Sequence, residues 1–495
     1  MKILLVDPPG KNKGLNTGLG YLSAVLKESH EVRVLDLNNI EIGICGDPNP
    51  DMPVNELETR VNNAVDEFGP ELFGVSVKTF TAGIAGHIFK MIQTDRPEIT
   101  TIAGGPHVTL DGLNFIREHG INFGIQGEGE YTAVELCNAL SANGSIEQLE
   151  GIFYWKDGQL LHNSRNNVIK DLDTLPFPYY SNFSSVIENG GVMKEYPILS
   201  SRGCPYKCTY CSMPKIMGSK WRFREPQTVI TELKHAKQEY HCTSFAVVDD
   251  NLTLNLTRVE KICDLLISEG LNLSWNCQNG IRADRIREDL AKKMKKSGCR
   301  FVWIGIESAD EKVFKEIKKG EHLEDIKKGI RCLQDAGIRV GGFFITGLPH
   351  STRDSDLKAV DFVKENGIDA WWFNFVPYPH TDAWEWVQLN GKILRPIHGV
   401  LQYGSNEIDP VFETDGYTRD SRIKTYNEIH IKLGFFDRLA DPSLNQADKW
   451  SRIYKKIRPY GLWTTVLFLI YIMKYNIRLI AKRTKARIET PSGRH

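Results

Sequence analysis

The sequence predicts an α/β protein in three parts: an open parallel sheet, a parallel barrel or part of one, and a small helical C-terminal region. Three observations predict it. Short apolar runs alternate with helical patterns in two series, one ending near residue 145 and one beginning near residue 195. The stretch between them, 146–194, lacks that alternation and reads as a linker. From about Trp384 the period is lost, which leaves 384–495 as the helical region.

In the first series, Lys2–Val6, Val32–Leu35, Leu72–Val77, Thr100–Ala103 and Phe123–Gln126 read as strands, with a helix near Leu19–Lys27 after the first. Open parallel sheets bind ligands beyond the carboxyl ends of their strands. Turn-rich sequence stands at two of those ends, Gly104-Gly105-Pro106-His107 and Gly127-Glu128-Gly129-Glu130. In the linker, Trp155-Lys156-Asp157-Gly158 reads as a hairpin turn and Leu175-Pro176-Phe177-Pro178 as an extended connector.

The second series, 195–383, offers Pro197–Ser200, Ser244–Val248, Leu273–Cys277, Phe301–Gly305, Val340–Thr346 and Ala370–Val376 as strands. Amphipathic helices such as Val229–Tyr240, Arg258–Ser268 and Arg287–Lys296 separate them. Barrel sites lie at the C-terminal strand ends. Polar groups stand there: a cysteine loop, Asp249-Asp250-Asn251, Asn276 with Gln278, and Glu307-Ser308. Trp371-Trp372-Phe373 and Phe375 place aromatics on the sixth strand, where alternation sends some to the core. Arg422–Asp437 and Leu462–Arg483 read as helices.

The 495 residues carry 62 basic and 62 acidic side chains, so no global field draws the chain to nucleic acid. The N-terminal apolar run is too short for a signal peptide and ends at Asp7-Pro8-Pro9-Gly10, which points to the cytoplasm. Of ten cysteines, Cys45, Cys137, Cys242, Cys263, Cys277, Cys299 and Cys332 are scattered and read as free thiols. Cys204, Cys208 and Cys211 cluster with Cys-x3-Cys-x2-Cys spacing. Thiolates suit iron–sulfur clusters, and one loop can wrap three irons of a cubane while the fourth stays open. A zinc site or three structural thiols are the alternatives. Zinc lacks a nearby fourth ligand, since His241 and Cys242 lie about one helix away.

This loop, Ser200-Ser201-Arg202-Gly203-Cys204-Pro205-Tyr206-Lys207-Cys208-Thr209-Tyr210-Cys211, resembles that of the radical S-adenosylmethionine (SAM) superfamily. The resemblance implies a (β/α)6 partial TIM barrel and a [4Fe–4S] cluster on Cys204, Cys208 and Cys211. SAM would chelate the open iron and yield a 5′-deoxyadenosyl radical on reduction. It also implies that Tyr210 lies against the adenine, that Glu307 and Ser308 of Phe301–Ser308 approach SAM, and that Gly341–Pro349 lies near the adenine. A salt-bridged strand-end carboxylate is the alternative for Glu307. The domain order resembles the cobalamin-binding radical SAM enzymes over roughly residues 1–385. That implies a Rossmann-like cobalamin-binding domain at 1–145, with Gly104, Gly105, Pro106, Gly127, Glu128 and Gly129 against the cofactor. The Asp-x-His-x-x-Gly motif is absent: the chain reads Asp7-Pro8-Pro9-Gly10-Lys11-Asn12-Lys13-Gly14, so cobalamin is expected without a protein ligand below the cobalt. His107 reads as a loop histidine.

The resemblance further implies methylation of an unactivated carbon of a small-molecule or lipophilic substrate, with an external electron donor such as flavodoxin or ferredoxin. Radical cyclisation or rearrangement with the same cofactors, and a non-catalytic corrinoid carrier or sensor, are the rivals. Residues 462–473 form an apolar run flanked by basic residues and too short to span a bilayer. They read either as a peripheral contact with an anionic membrane or lipophilic substrate, or as a terminal helix docked on the barrel.

Overall fold

The computed structural model describes residues 1–10, 14–39, 54–164, 168–397 and 409–433. The chain divides into two compact units, Met1–Ile423 and Lys424–His495, and both large sheets belong to the first.

The five expected strands of the first series are present as β1 (Lys2–Asp7), β2 (Glu31–Asp36), β3 (Leu72–Ser76), β4 (Thr100–Gly104) and β5 (Phe123–Ile125). They pair in parallel in the order β2-β1-β3-β4-β5. In β1 every residue after Lys2 is buried. A continuous apolar strand suits a parallel sheet covered on both faces. Crossover helices are α1 (Thr17–Leu26), α2 (Val54–Phe68), α3 (Ala82–Asp95) and α4 (Pro106–His119), with α5 (Glu130–Ser141) after β5. The strand order reverses direction between β1 and β3, where sheets of this order bind ligands.

The expected linker is only partly a linker. Its first residues form β6 (Ile152–Lys156) and β7 (Gln159–Asn163), a hairpin that adds antiparallel to β5. Asp157 and Gly158 turn it with φ of 50° and 75°, the paired positive values that a two-residue hairpin favours. The later part is a strap tied at both sides. Val34 N donates to Asn182 O at 3.0 Å, and Tyr180 N to Tyr240 Oη at 3.0 Å. Tyr180 and Phe183 are fully buried. The strap also carries α6 (Ser184–Glu188). Its aromatics anchor it although its sequence has no period.

The barrel sheet is six parallel strands in sequence order: β8 (Glu195–Ile198), β11 (Ser244–Val247), β12 (Ser274–Ile281), β13 (Cys299–Glu307), β14 (Arg339–Thr346) and β15 (Asp369–Asn374). Between β8 and β11 lies a small hairpin of β9 (Ser201–Arg202) and β10 (Arg222–Phe223), which encloses α7 (Met213–Ile216). Helices α8 (Pro226–Glu239), α9 (Leu256–Ser268), α10 (Glu288–Lys296), α11 (Glu311–Glu316), α12 (Leu323–Asp335) and α13 (Arg353–Asn366) follow. In α10 the sequence explains the helix. Glu288 and Asp289 open it, Lys293, Lys295 and Lys296 close it, and Leu290, Ala291 and Met294 face the core.

After β15 come α14 (Asp382–Asn390) and α15 (Arg419–Lys432), the latter starting three residues before the expected Arg422, while residues 434–437 of the expected helix lie outside the described residues. The helix expected at Leu462–Arg483 and the apolar run 462–473 lie outside the described residues. Among the described residues no helix is long and apolar enough to cross a membrane.

Candidate functional site

A cavity of about 260 Å³ opens at the carboxyl ends of the first sheet. Its rim comes from the carboxyl ends of four strands and the segments after them: Asn16–Gly18 after β1, Ser76 and Lys78 at the end of β3, Gly104–Pro106 at the end of β4, and Gly127–Glu130 after β5. Its depth is apolar, with Leu5, Gly74, Ile102 and Ile125 of the sheet facing Leu22 of α1 and Ala133 of α5. Leu199, Arg202, Ile216 and Met217 of the barrel part line the same space.

All six positions named at this end in the sequence, Gly104, Gly105, Pro106, Gly127, Glu128 and Gly129, are on the cavity wall. Gly105 has φ 98°, and a Cβ there would meet Val77 O at 2.8 Å and Val77 N at 2.9 Å. Gly104 is different: a Cβ would meet nothing within 4 Å, because it would project into open space. Below the rim, Asn16 donates to Asp7 and Ser76, and Lys78 pairs with Asp7 at 3.2 Å. His107 is buried against the Phe115 ring, 5.2 Å between centroids, and is not on the wall. Burial pushes the Cys137 thiol, which is on the wall, up to about 12.

Glu128 does something the sequence did not suggest. Its carboxylate accepts from Arg202 Nη1 at 3.1 Å, Arg222 Nη1 at 2.8 Å and Ile169 N at 2.9 Å. Arg202 Nη2 reaches Glu130 at 2.7 Å. All four side chains are at most 5% exposed. Burial by itself raises the Glu128 carboxyl, but the hydrogen bond from Arg222 and the charges of both arginines outweigh it and hold it near 2. The carboxylate thus clamps the segment after β5 to the β9–β10 hairpin.

The cysteine loop leaves β9 at Gly203 and returns through β10. Gly203 has φ 84°, and a Cβ there would lie 2.5 Å from Lys220 O, so only glycine lets the loop close. Gly203 N donates to Asp250 at 2.8 Å, and Cys204 N to Gly218 O at 3.3 Å. Asp249 accepts from Ser200 N, Ser200 Oγ and Ser201 Oγ, each at 2.6 Å. Asn251 Nδ2 stands 3.8 Å from Cys204 Sγ. Thus Asp249, Asp250 and Asn251 hold the start of the loop. Burial pushes Cys208 up to about 11 and Cys211 up to about 12. Among the described residues no three His, Cys, Asp or Glu side chains converge as ligands of a single ion. Ligands of a cubane attach to separate irons and need no such point.

Glu307 ends β13 at φ 67° and is buried beside Lys319, 3.5 Å away. The salt-bridged carboxylate considered from the sequence is therefore present. Tyr210 is half-buried. Burial, and then its contact with Glu307, pushes its phenol well up. Ser308 is buried, and its hydroxyl accepts from Asp310 N at 3.2 Å. Arg282 stacks its guanidinium 3.7 Å from the centroid of the Tyr206 ring and donates to Lys319 O and Gly320 O, each at 2.8 Å. Trp372 on the sixth strand and Phe375 just after it go to the core. Phe373 lies beside Phe343, and Trp371 beside Trp303, whose ring stacks on Phe343 at 4.7 Å. Phe344 packs on Phe362 of α13, so its neighbour Phe343, and with it this cluster, takes the opposite, inner face of the barrel. Glu195, Asn276 and Gln278 are hydrogen-bonded across that face.

Residues 198–371 match the radical SAM superfamily, and residues 10–137 match the B12 binding domain. The chain is a B12-binding radical SAM enzyme. The enzyme is 29% identical over 443 residues to an uncharacterized methyltransferase of Pyrococcus horikoshii, covering 88% of this chain and 92% of that one. It is 28% identical to the cytidylyl-2-hydroxyethylphosphonate methyltransferase of Streptomyces wedmorensis, over 67% of this chain and 68% of that one. Among solved structures, the radical SAM methyltransferase TsrM of Kitasatospora setae superposes with a TM-score of 0.66 at 16% identity, over 91% and 88% of the two chains. The cobalamin-dependent radical enzyme OxsB superposes with a TM-score of 0.69 at 16% identity, over 96% and 75%. At those identities the superpositions speak for the fold.

The B12-binding radical SAM enzyme works with a [4Fe–4S] cluster, SAM and cobalamin. Its cavity suits a corrinoid. The depth is apolar, the rim is glycine-rich with a position open to the cavity at Gly104, and three helices, α1, α4 and α5, start at the rim. Among the described residues no histidine lines it. Sequence reasoning missed Arg202, Arg222 and Lys319. Arg202 was visible two residues before Cys204, but nothing in one sequence pairs it with a glutamate more than seventy residues upstream.

Proposed function

We propose that the enzyme methylates an unactivated carbon of a small-molecule or lipophilic substrate. One observation carries the reading: the glycine rim of the first sheet and the base of the cysteine loop line one cavity. Cys204, Cys208 and Cys211 would hold three irons, and Gly104, Gly105, Pro106, Gly127 and Gly129 would let a corrinoid lie against the backbone. When bound, these groups supply a 5′-deoxyadenosyl radical and a transferable methyl group. The chain's own part is placement. Asp250 and Asn251 hold the start of the cysteine loop. Tyr210 and Glu307 stand near Cys208 and Cys211, and with Ser308, the residue after Glu307, they are candidate SAM contacts. The inner face of the barrel, aromatic on β13 to β15 and amide-rich on β12, offers one apolar and one polar wall to a substrate.

The similarity to both methyltransferases supports this reading. Radical cyclisation without methyl transfer keeps one supporting observation. The chain is 24% identical to the anaerobic magnesium-protoporphyrin IX monomethyl ester cyclase of Cereibacter sphaeroides, over 75% of this chain and 61% of that one. Anaerobic incubation with SAM, a reductant and lipid, tetrapyrrole or peptide extracts separates the two. Mass spectrometry should find a product heavier by a methyl group. A product formed without an added methyl group would favour cyclisation.

A further inference from the structure

We propose that Arg202 is a positioning residue that sets the cysteine loop against the corrinoid cavity, acting through Glu128 and Glu130. The proposal rests on the assignment of cluster and corrinoid given above. In the β9–β10 hairpin, Arg202 stands directly opposite Arg222. Like charges directly opposite one another weaken a ladder, and this ladder is only two residues long on each side. A ladder so short does not stand alone.

The compensation comes from the other sheet. Arg202 spans both glutamates, with Nη1 at 3.1 Å from Glu128 and Nη2 at 2.7 Å from Glu130. Arg222 reaches Glu128 at 2.8 Å and its own loop at Met217 O, 2.8 Å. The Arg202 guanidinium also lies over the Tyr21 ring of α1, 4.9 Å from its centroid. Glu128 and Glu130 sit in the segment after β5 that forms the cavity wall, and Arg202, Met217 and Tyr21's neighbour Leu22 are on that wall too. The second oxygen of Glu130 is buried and has no partner among the described residues. The contacts that shut the base of the cysteine loop are therefore the contacts that shape one side of the cavity. From Arg202 the chain passes to Gly203, fixed by Asp250, and then to Cys204.

A guanidinium fork can hold two carboxylates in fixed directions, whereas a lysine ammonium is a single point. Arg202→Lys keeps the charge and loses the geometry, which makes it the discriminating variant. Wild type and Arg202→Lys would be prepared anaerobically with hydroxocobalamin and assayed for iron, cobalt and SAM turnover under dithionite. Iron and cobalt should be equal in the two. The ratio of S-adenosylhomocysteine to 5′-deoxyadenosine should fall roughly tenfold to a hundredfold, the scale of a misplacement of about 1 Å. The relaxation that the reduced cluster imposes on the cob(II)alamin electron paramagnetic resonance signal should also change. Glu130→Gln, which leaves Arg202 its bond to Glu128, should shift both readouts in the same direction by less. An unchanged ratio and unchanged relaxation in Arg202→Lys would overturn the proposal, as would a loss of iron or cobalt large enough to account for the whole effect. A wild type that takes up no cobalamin, or no cluster, contradicts the underlying assignment itself, and that result is seen before any variant is compared.

Discussion

Replacing Gly104 and Gly105 by alanine, one at a time, should separate a cavity wall from a backbone hinge. The two residues are adjacent, yet an added methyl meets different things. At Gly105 it would press on Val77 N and O at 2.9 and 2.8 Å. Those same atoms bond Gly104 O at 2.7 Å and His107 N at 3.0 Å. Positive φ costs a non-glycine residue roughly 1–2 kcal/mol, and overpacking adds about 1–3 kcal/mol. Gly105→Ala should thus lose about 2–5 kcal/mol and melt roughly 2–6 °C lower without cofactor, for a compact unit that runs from Met1 to Ile423. At Gly104 the methyl meets no atom within 4 Å and the backbone is not left-handed, so the cofactor-free protein should melt within about 1 °C of wild type. Its cavity, however, is narrowed. If the cofactor fills that space, Gly104→Ala should bind hydroxocobalamin roughly tenfold to a hundredfold more weakly, which corresponds to about 1–3 kcal/mol. Equilibrium dialysis and thermal denaturation of the cofactor-free proteins give both numbers. Wild-type affinity in Gly104→Ala, or a melting temperature as low as that of Gly105→Ala, would refute the reasoning.

Alanine at Cys204, Cys208 or Cys211 should each abolish the [4Fe–4S] absorbance and SAM cleavage, while Cys263→Ala, at a buried position of α9, and Cys332→Ala, in α12, should leave iron content unchanged; a triple variant keeping a full cluster spectrum would sink the ligand assignment. The cob(II)alamin form should show no nitrogen splitting from an axial histidine in its paramagnetic resonance spectrum, since none lines the cavity among the described residues. Glu128→Gln should cost about 3 kcal/mol at neutral pH, the value of holding a carboxyl near 2 instead of at its ordinary 4.5. Because the folded-state value is depressed, that stabilisation is present above about pH 4.5 and disappears as pH falls toward 2. Denaturant titrations of wild type and variant should therefore converge over that window, and a constant gap across it would count against the ion-pair clamp.

The strands were legible because parallel β-sheet leaves a local mark. β1 and β3 are buried along most of their length and read as apolar runs. The cysteine loop was legible from spacing, and Gly104–Pro106 and Gly127–Gly129 from their place after strands. What remained hidden was long-range. The hairpin β6–β7 showed its turn but not its partner, β5. The strap around Tyr180 and Phe183 looked like a connector because its anchors are single aromatics without a period. Glu128 lies on the cavity wall, but its pairing with two arginines was hidden because both come from beyond the linker. Glu307 stands where expected at the end of β13, with the Lys319 pairing that sequence spacing alone did not single out.

The most direct test of the central claim is to follow SAM labelled in its methyl hydrogens through to product under anaerobic turnover. Carbon methylation by this enzyme predicts that the product carries the labelled methyl group intact, and that 5′-deoxyadenosine and S-adenosylhomocysteine accumulate in equal amounts with it. Product formed with 5′-deoxyadenosine but without label, or without S-adenosylhomocysteine, would contradict it.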